Sequence, residues 1–338
     1  MTVWDPDSNS LPKLEELPAI EGAPHYAAWF WGKDDEASST SQPTCIQTAN
    51  SNVQLGRLNL LTPKRIAKAA SLIQTGESAG LNFPAGLPYP TFFGREPFKH
   101  TLKQVNPRAY DDLYSLNTQS SSQWDGFRHV GHDLGGGYIW YNHTTREQIT
   151  NSSKNGIHAW SKKGIVGRGV LLDFYSFSGQ SYHPFDHRHI SAQELKACAK
   201  AQNVTFEYGD VLIVRTGWSD AYKMLDQKGR EELGAKGYLE ITFAGLDRSR
   251  ETIEMLHDNY FSAVASDAPA FESWPMDDPE HLHHFLLPLW GVPIGEMWDL
   301  DRLAELCKKH NRYTFFLTSS PANVEGGVGS SPNAIAIF

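Results

Sequence analysis

Asp210-Val-Leu-Ile-Val-Arg215-Thr-Gly-Trp218 is the stretch on which the reading of the fold turns. Its apolar run is short and rich in β-branched residues, and turn-forming residues close it at both ends. That pattern describes a strand buried on both faces. A second run of the same kind, Gly169-Val-Leu-Leu-Asp173-Phe, lies upstream. Between them, Ser191 precedes Glu194 by three residues in Ile190-Ser-Ala-Gln-Glu-Leu, a capping box that predicts a helix start. The alternation continues downstream, with a helix expected over 248–259, a strand over 262–266, a short apolar segment at 291–295, a helix over 300–309 and a strand over 313–317. Upstream, Thr62 reads as an N-cap with Pro63 in the first turn, followed by Ile66, Ala69, Ala70 and Ile73 at helical spacing and closed by Gly76. Strands alternating with helices predict an α/β domain, a mixed β-sheet flanked by helices.

No linker, repeat or low-complexity tract divides residues 51–338, which are expected to form one domain. Residues 1–50 are polar and proline-rich, with Asp34-Asp-Glu-Ala-Ser-Ser-Thr-Ser-Gln42 reading as an exposed N-terminal arm. The net charge of −9, with no basic run, argues against nucleic acid as a partner. Cys45, Cys198 and Cys307 are scattered and odd in number, which indicates neither a disulfide framework nor a thiolate metal site. No apolar run approaches the ~18 residues that span a bilayer. The first residues lack the basic head and apolar stretch of a secretion signal. A cytoplasmic protein without a membrane partner is the expectation.

Longer motifs carry a resemblance over roughly residues 25–338. They are Leu58-Asn-Leu-Leu-Thr-Pro63, Gly164-Ile-Val-Gly-Arg-Gly-Val-Leu-Leu-Asp173, Gly209-Asp-Val-Leu-Ile-Val-Arg-Thr-Gly-Trp218, Ala263-Val-Ala-Ser-Asp267-Ala-Pro and Phe316-Leu-Thr-Ser-Ser-Pro321-Ala-Asn-Val-Glu-Gly-Gly-Val-Gly. Through them the chain resembles the cyclase family, metal-dependent hydrolases that include kynurenine formamidase and isatin hydrolase. It is most similar to the longer fungal and actinobacterial branch. The resemblance implies a swivelling-type mixed β-sheet flanked by helices. It also implies a homo-oligomer, most simply a homodimer, in which the N-terminal arm helps to share active sites.

The family signature is His-x-Gly-Thr-His-x-Asp-x-Pro-x-His, followed much later by a His and a Glu twelve residues apart. On this sequence it falls on Gln119-Ser-Ser-Ser-Gln123-Trp-Asp125-Gly-Phe-Arg-His129, with His284 and Glu296 as the distal pair. Gln stands at two positions where the family has His. The resemblance implies Gln119, Gln123, Asp125, His284 and Glu296 as metal ligands. It gives catalytic roles to His129, as general acid or base, and Asp125, and it places Trp31 at the substrate; His132, three residues after His129, is a substrate-facing candidate by position alone. An amide oxygen is a neutral and weaker donor than imidazole, so this oxygen-rich set favours Mn²⁺, Mg²⁺ or Ca²⁺ over Zn²⁺.

Plainer readings stand beside each of these. Gln119 and Gln123 fit a hydrogen-bonded polar core with no metal, Trp31 fits core packing, and His132 fits a surface position. Arg128 suits a substrate carboxylate or an ordinary salt bridge. His281 and His283 read as solvent-facing or substrate-lining. Glu325-Gly-Gly-Val-Gly lacks the ending of a phosphate loop and reads as a tight turn near the site. The expected function is an amidohydrolase-type enzyme acting on a small cyclic or aryl amide, lactam or lactone. It would use a metal-activated water (Mn, Zn or Mg), with His129 moving the proton. The alternatives are a metal-free lyase, dehydratase or cyclase, and a non-catalytic ligand-binding relative.

Overall fold

The computed structural model describes residues 4–31, 53–275 and 281–338. The strand expected around 211–214 is Val211–Arg215, and every one of its residues is buried. Its neighbours explain why. It pairs in parallel with Ile165–Asp173 on one side and Ala263–Ser266 on the other. Both faces are then covered by helices, so the sequence reads as a continuous apolar run rather than an alternating one. Ile294–Glu296 adds a fourth parallel strand. Antiparallel strands complete the sheet at both ends. The order across it is Ser78–Gly80, Ala334–Ile337, Thr314–Ser319, Ile165–Asp173, Val211–Arg215, Ala263–Ser266, Ile294–Glu296, Gln123–Asp125 and Gly329–Ser330. The expected mixed α/β sheet flanked by helices is present.

The crossovers between parallel strands carry the expected helices. Ala192–Ala201 starts at the capping box: the Ser191 hydroxyl accepts from the Glu194 amide at 3.3 Å, and the Ser191 amide donates to Glu194 Oε2 at 2.9 Å. Arg250–Asp258 and Asp301–His310 follow the expected bounds closely. The helix capped by Thr62 is shorter than its periodicity suggests, running Pro63–Ala70. It ends where its buried face ends, at Ala69, while Ile73 is left 42% exposed.

Residues 4–31 do not extend away from the body. Leu14, Ile20, Trp29 and Phe30 belong to the main core, and the Trp29 indole donates to the Pro288 carbonyl at 2.8 Å. The remainder of the expected arm, with the Asp34–Gln42 segment and Cys45, lies outside the described residues. A hairpin of Lys99–Asn106 and Ala109–Ser115, absent from the sequence expectations, is exposed along nearly its whole length. No helix among the described residues is long and apolar enough to cross a membrane.

Candidate metal centre

The site forms where Gln123–Asp125 lies antiparallel to Ile294–Glu296. The register sets Gln123 opposite Glu296 and Asp125 opposite Ile294. Side chains of directly paired residues share a face, and alternate residues of one strand share it too. Gln123, Asp125 and Glu296 therefore project to one side. Trp124 projects to the other, where it meets Trp298 edge-on at 4.8 Å. Gly295 is needed for that packing, since a Cβ there would come within 2.7 Å of Ala265 and 2.8 Å of the Trp298 ring. Ser122 ties the two strands together by donating to the Met297 carbonyl at 2.5 Å.

The third member is His283, not His284. His283 Nε2 lies 3.1 Å from Glu296 Oε1 and 3.4 Å from Asp125 Oδ2, and one donor atom from each of the three residues falls within 4.8 Å of the others. Helical geometry explains the change. In Leu282–Leu286 the residues Leu282, Leu286 and Leu287 face the core, and His283 lies on that same stripe, one turn from both Leu286 and Leu287. His284 falls beside the stripe. Its Nδ1 accepts from the His281 amide, and its ring lies 4.5 Å from that of His281. The apolar spacing at 282, 286 and 287 was the sequence signal that would have selected His283.

Glu272 completes the arrangement from a segment that the sequence reading did not single out. Its two oxygens lie 2.9 and 3.0 Å from His283 Nδ1, which turns Nε2 toward Asp125 and Glu296. Burial alone would lower the pKa of His283, but Glu272, Asp125 and Glu296 hold it well above the ordinary imidazole value. Burial would raise Glu272, yet His283 and His281 keep it below the usual carboxylate range. Burial together with the charge of Asp125 pushes Glu296 up to about 7. Asp125 is drawn down by His129 and His283 against its burial. His284, half-buried next to two other histidines, is pushed down to about 4.

The two glutamines sit on the opposite side of the acids from His283. Gln123 Nε2 donates to Glu296 Oε2 at 2.6 Å and to Gln119 Oε1 at 3.0 Å. Gln119 is accommodated by Gly329, where a Cβ would lie 2.7 Å from its Nε2. The glycine-rich turn thus continues into an edge strand paired with Gln123–Asp125 and borders the site. His129 faces the same space, its ring 6.4 Å from that of His283. Burial lowers its pKa more than Asp125 raises it.

Three other expectations are placed elsewhere. Trp31 is buried with Leu11, Leu60 and Tyr260, edge-on to Trp4 at 5.8 Å, and does not line the site. The N-terminal segment folds over it. His132 pairs with Ile139 in a small two-stranded ladder and adds to the positive field on His284 without lining the cavity. Arg128 does not line that cavity and makes no salt bridge among the described residues. It donates to the carbonyls of Ile149 and Ser152 at the end of helix Arg146–Asn151.

Glu296 and His283 border a cavity of about 210 Å³, with Asp125 buried behind them. His129, His281, His283, His284, Glu272 and Glu296 line one part of it, and Phe93, Arg95, Tyr238 and Trp274 line another. Phe93, Tyr238 and Trp274 pack on one another, with ring centroids 4.7–5.4 Å apart.

A family model described as "Putative cyclase" matches residues 48–273. A solved structure of a novel cyclase is 31% identical to the chain, with 86% of this chain and 97% of that one covered and a TM-score of 0.75. The chain belongs to the cyclase family. An isatin hydrolase bound to the product analogue thioisatinate shares the fold at 16% identity, with 80% and 95% of the two chains covered and a TM-score of 0.54. Isatin hydrolase A from Labrenzia aggregata, bound to benzyl benzoate, does so at 14% identity, with 79% and 94% covered and a TM-score of 0.52. At these identities the likeness is one of fold. No curated protein matches the chain. Within the cyclase family fold, Asp125, His283 and Glu296 are a buried group able to hold a metal ion.

Proposed function

We propose that the chain is a metal-dependent hydrolase of a small cyclic or aryl amide, lactam or lactone. One observation carries the reading. Asp125 and Glu296 are fully buried side by side, and His283 Nε2 is the one basic atom set between them, 3.4 Å from Asp125 Oδ2 and 3.1 Å from Glu296 Oε1. Two buried carboxylates and an imidazole that bring one donor atom each within 4.8 Å of the others fit a cation. The donor set fits too. A His whose far nitrogen is held by a carboxylate is the usual arrangement for a metal-ligating imidazole. Asp125, His283 and Glu296 would hold the ion, with Gln123 adding an amide oxygen and Gln119 supporting from behind. Two carboxylates, one imidazole and an amide suit Mn²⁺ or Mg²⁺ at least as well as Zn²⁺. A divalent ion bound there supplies a water of lowered pKa and polarises a carbonyl.

The chain's own residues supply the rest. Glu272 fixes His283, and Gln123 fixes Glu296 by donating to the oxygen that faces away from His283. His129, kept neutral by burial, is available to take a proton near neutral pH and return it to the leaving group. The partner would be a small molecule and not nucleic acid. Self-association into a homodimer in the cytoplasm remains part of the proposal, with the exposed hairpin as the surface to examine.

Elemental analysis of the purified protein, with turnover of an amide, lactam and lactone panel before and after chelation, tests the reading. Bound ion near one per chain and chelator-sensitive turnover are expected. Turnover that survives complete removal of metal would transfer the site to the metal-free alternative. His129→Ala is expected to keep the ion and to lower kcat by about 10²–10⁴-fold.

A further inference from the structure

The cavity holds one charged side chain that neither the metal group nor its supports use. Among the described residues Arg95 is the only Lys or Arg lining it, and it is half-buried. Its Nη1 donates to the Gln119 carbonyl, and its guanidinium lies 5.3 Å from the centre of the Phe93 ring. Among the described residues it forms no ion pair. The other inward-facing arginines are spent differently. Arg215 is held by Asp173 and Asp220, Arg168 by Asp210 and Glu207, and Arg128 by helix carbonyls.

We infer that Arg95 recognises a carboxylate on the substrate, and that the substrate is an aryl compound bearing that group. The reaction performed on it rests on the hydrolase reading, whereas the binding step does not. With Nη1 committed to Gln119, the guanidinium keeps Nε–H and Nη2–H as two parallel donors. That edge matches the two oxygens of a carboxylate. A phosphate would present a third oxygen and a second negative charge beyond what one guanidinium edge answers. The neighbouring wall of Phe93, Tyr238 and Trp274 suits one aromatic ring, and about 210 Å³ accommodates a single ring with its substituents. Arg95 borders His129 and Glu296 closely enough for its charge to be felt at both. A carboxylate seated on Arg95 therefore leaves the ring's other substituent directed at the reacting end.

Benzoate and benzamide are probes of nearly the same shape that differ in charge. Calorimetry on the metal-loaded protein is expected to show benzoate binding at least tenfold tighter than benzamide. Arg95→Gln keeps a donor for the Gln119 carbonyl and removes the charge, so it should reduce the preference to within twofold. Arg95→Lys keeps the charge without the fork and should fall between, which also covers the case that the Gln variant does not fold. Equal binding of the two probes by the parent protein overturns the inference. So does a benzoate preference that survives Arg95→Gln, since the acid would then be held elsewhere, the metal included. Failure of the hydrolase reading looks different: neither 3-formamidobenzoate nor formanilide would be turned over, with the binding preference intact. If both are turned over, the ratio of their kcat/KM values should drop at least tenfold in Arg95→Gln, through KM of the anionic substrate.

Discussion

Asp267 and Asp125 are two fully buried carboxylates separated across the sheet by one strand, and they are treated in opposite ways. Asp267 follows Ala263–Ser266 and accepts from the Thr216 amide at 2.7 Å, the Thr216 hydroxyl at 2.8 Å and the Gly217 amide at 2.9 Å, with Ser219 further out. Asp125 ends the strand on the far side of Ile294–Glu296, and no backbone amide or hydroxyl donates to it; its neighbours are the His283 imidazole, 3.4 Å from Oδ2, and the Gln119 side chain. The first is held by the start of a helix, Trp218–Met224, and joins two elements of the fold. The second is met by the charge of His283 and His129 and by the Gln119 side chain, and by no backbone donor. Burial is equal, so burial alone does not distinguish a structural acid from a functional one. The count of donors does.

Exchanging the two by mutation is the strongest way to break this comparison. Asp125→Ala removes a charged donor from the centre of the metal group and is expected to weaken ion binding at least a thousandfold, about 4 kcal/mol. The metal-free protein should lose less stability than Asp267→Ala costs, because only the charge contacts with His283 and His129 go and no backbone amide is orphaned. Asp267→Ala leaves the Thr216 and Gly217 amides without an acceptor and should cost about 3–5 kcal/mol in chemical denaturation, while any folded fraction keeps its ion. Parallel thermal melts and metal analysis decide the matter. Asp125→Ala destabilising the metal-free protein as much as Asp267→Ala would erase the distinction.

His257 sharpens the contrast from the side of acid. It is fully buried, with Nδ1 2.9 Å from Asp258 Oδ1 and Nε2 without a partner. Burial, helped by the nearby charge of Arg57, pushes its pKa down to about 4. The unfolded chain binds this proton near 6.5 and the folded chain does not. The stability that neutral His257 allows is therefore complete above pH 6.5 and is lost as pH falls toward 4, by up to about 3 kcal/mol. Denaturation of the metal-free protein at pH 7.5, 6.5, 5.5 and 4.5 should show this slope, and His257→Phe, which keeps the contacts with Tyr260 and Trp290, should flatten it. An unchanged slope in the variant would move the acid response to the carboxylates around His283.

Much of this contrast could be read before folding and part of it could not. The buried strands announced themselves because both faces of Val211–Arg215 are covered, and Ser191 and Thr62 marked helix starts through local hydrogen bonds. Asp125 and Glu296 were found because their spacing follows a family pattern. The short strand Gln123–Asp125 was invisible, since three residues carry no period and its pairing partners are about 170 and 205 positions away. Choosing His284 over His283 followed linear spacing where the phase of a short helix decides. Glu272 and Arg95 lie outside the motif, and only tertiary folding brings them to it. Residues 1–50 read as a polar, exposed arm, and of these residues 4–31 pack on the body instead. They fold because the body supplies the apolar surface under Leu14, Ile20 and Trp29.

The smallest expected effect tests the support of the site rather than its donors. Glu272→Gln keeps the size of the side chain and its ability to accept from His283 Nδ1, but it removes the charge that turns and polarises the imidazole. Loss of such a partner weakens metal binding by about 10–100-fold, less than loss of a ligand. The amide can also present its NH₂ to Nδ1, which would select the other tautomer and turn the N–H toward Asp125 and Glu296. Metal competition titrations separate these levels: Asp125→Ala should bind no ion at concentrations where Glu272→Gln is half-loaded. An affinity unchanged in Glu272→Gln would show that the Leu282, Leu286 and Leu287 packing alone sets the orientation of His283. A loss as large as that of Asp125→Ala would place Glu272 among the donors themselves, and the line drawn between satisfied and unsatisfied acids would then have to include a third kind, an acid satisfied by a ligand.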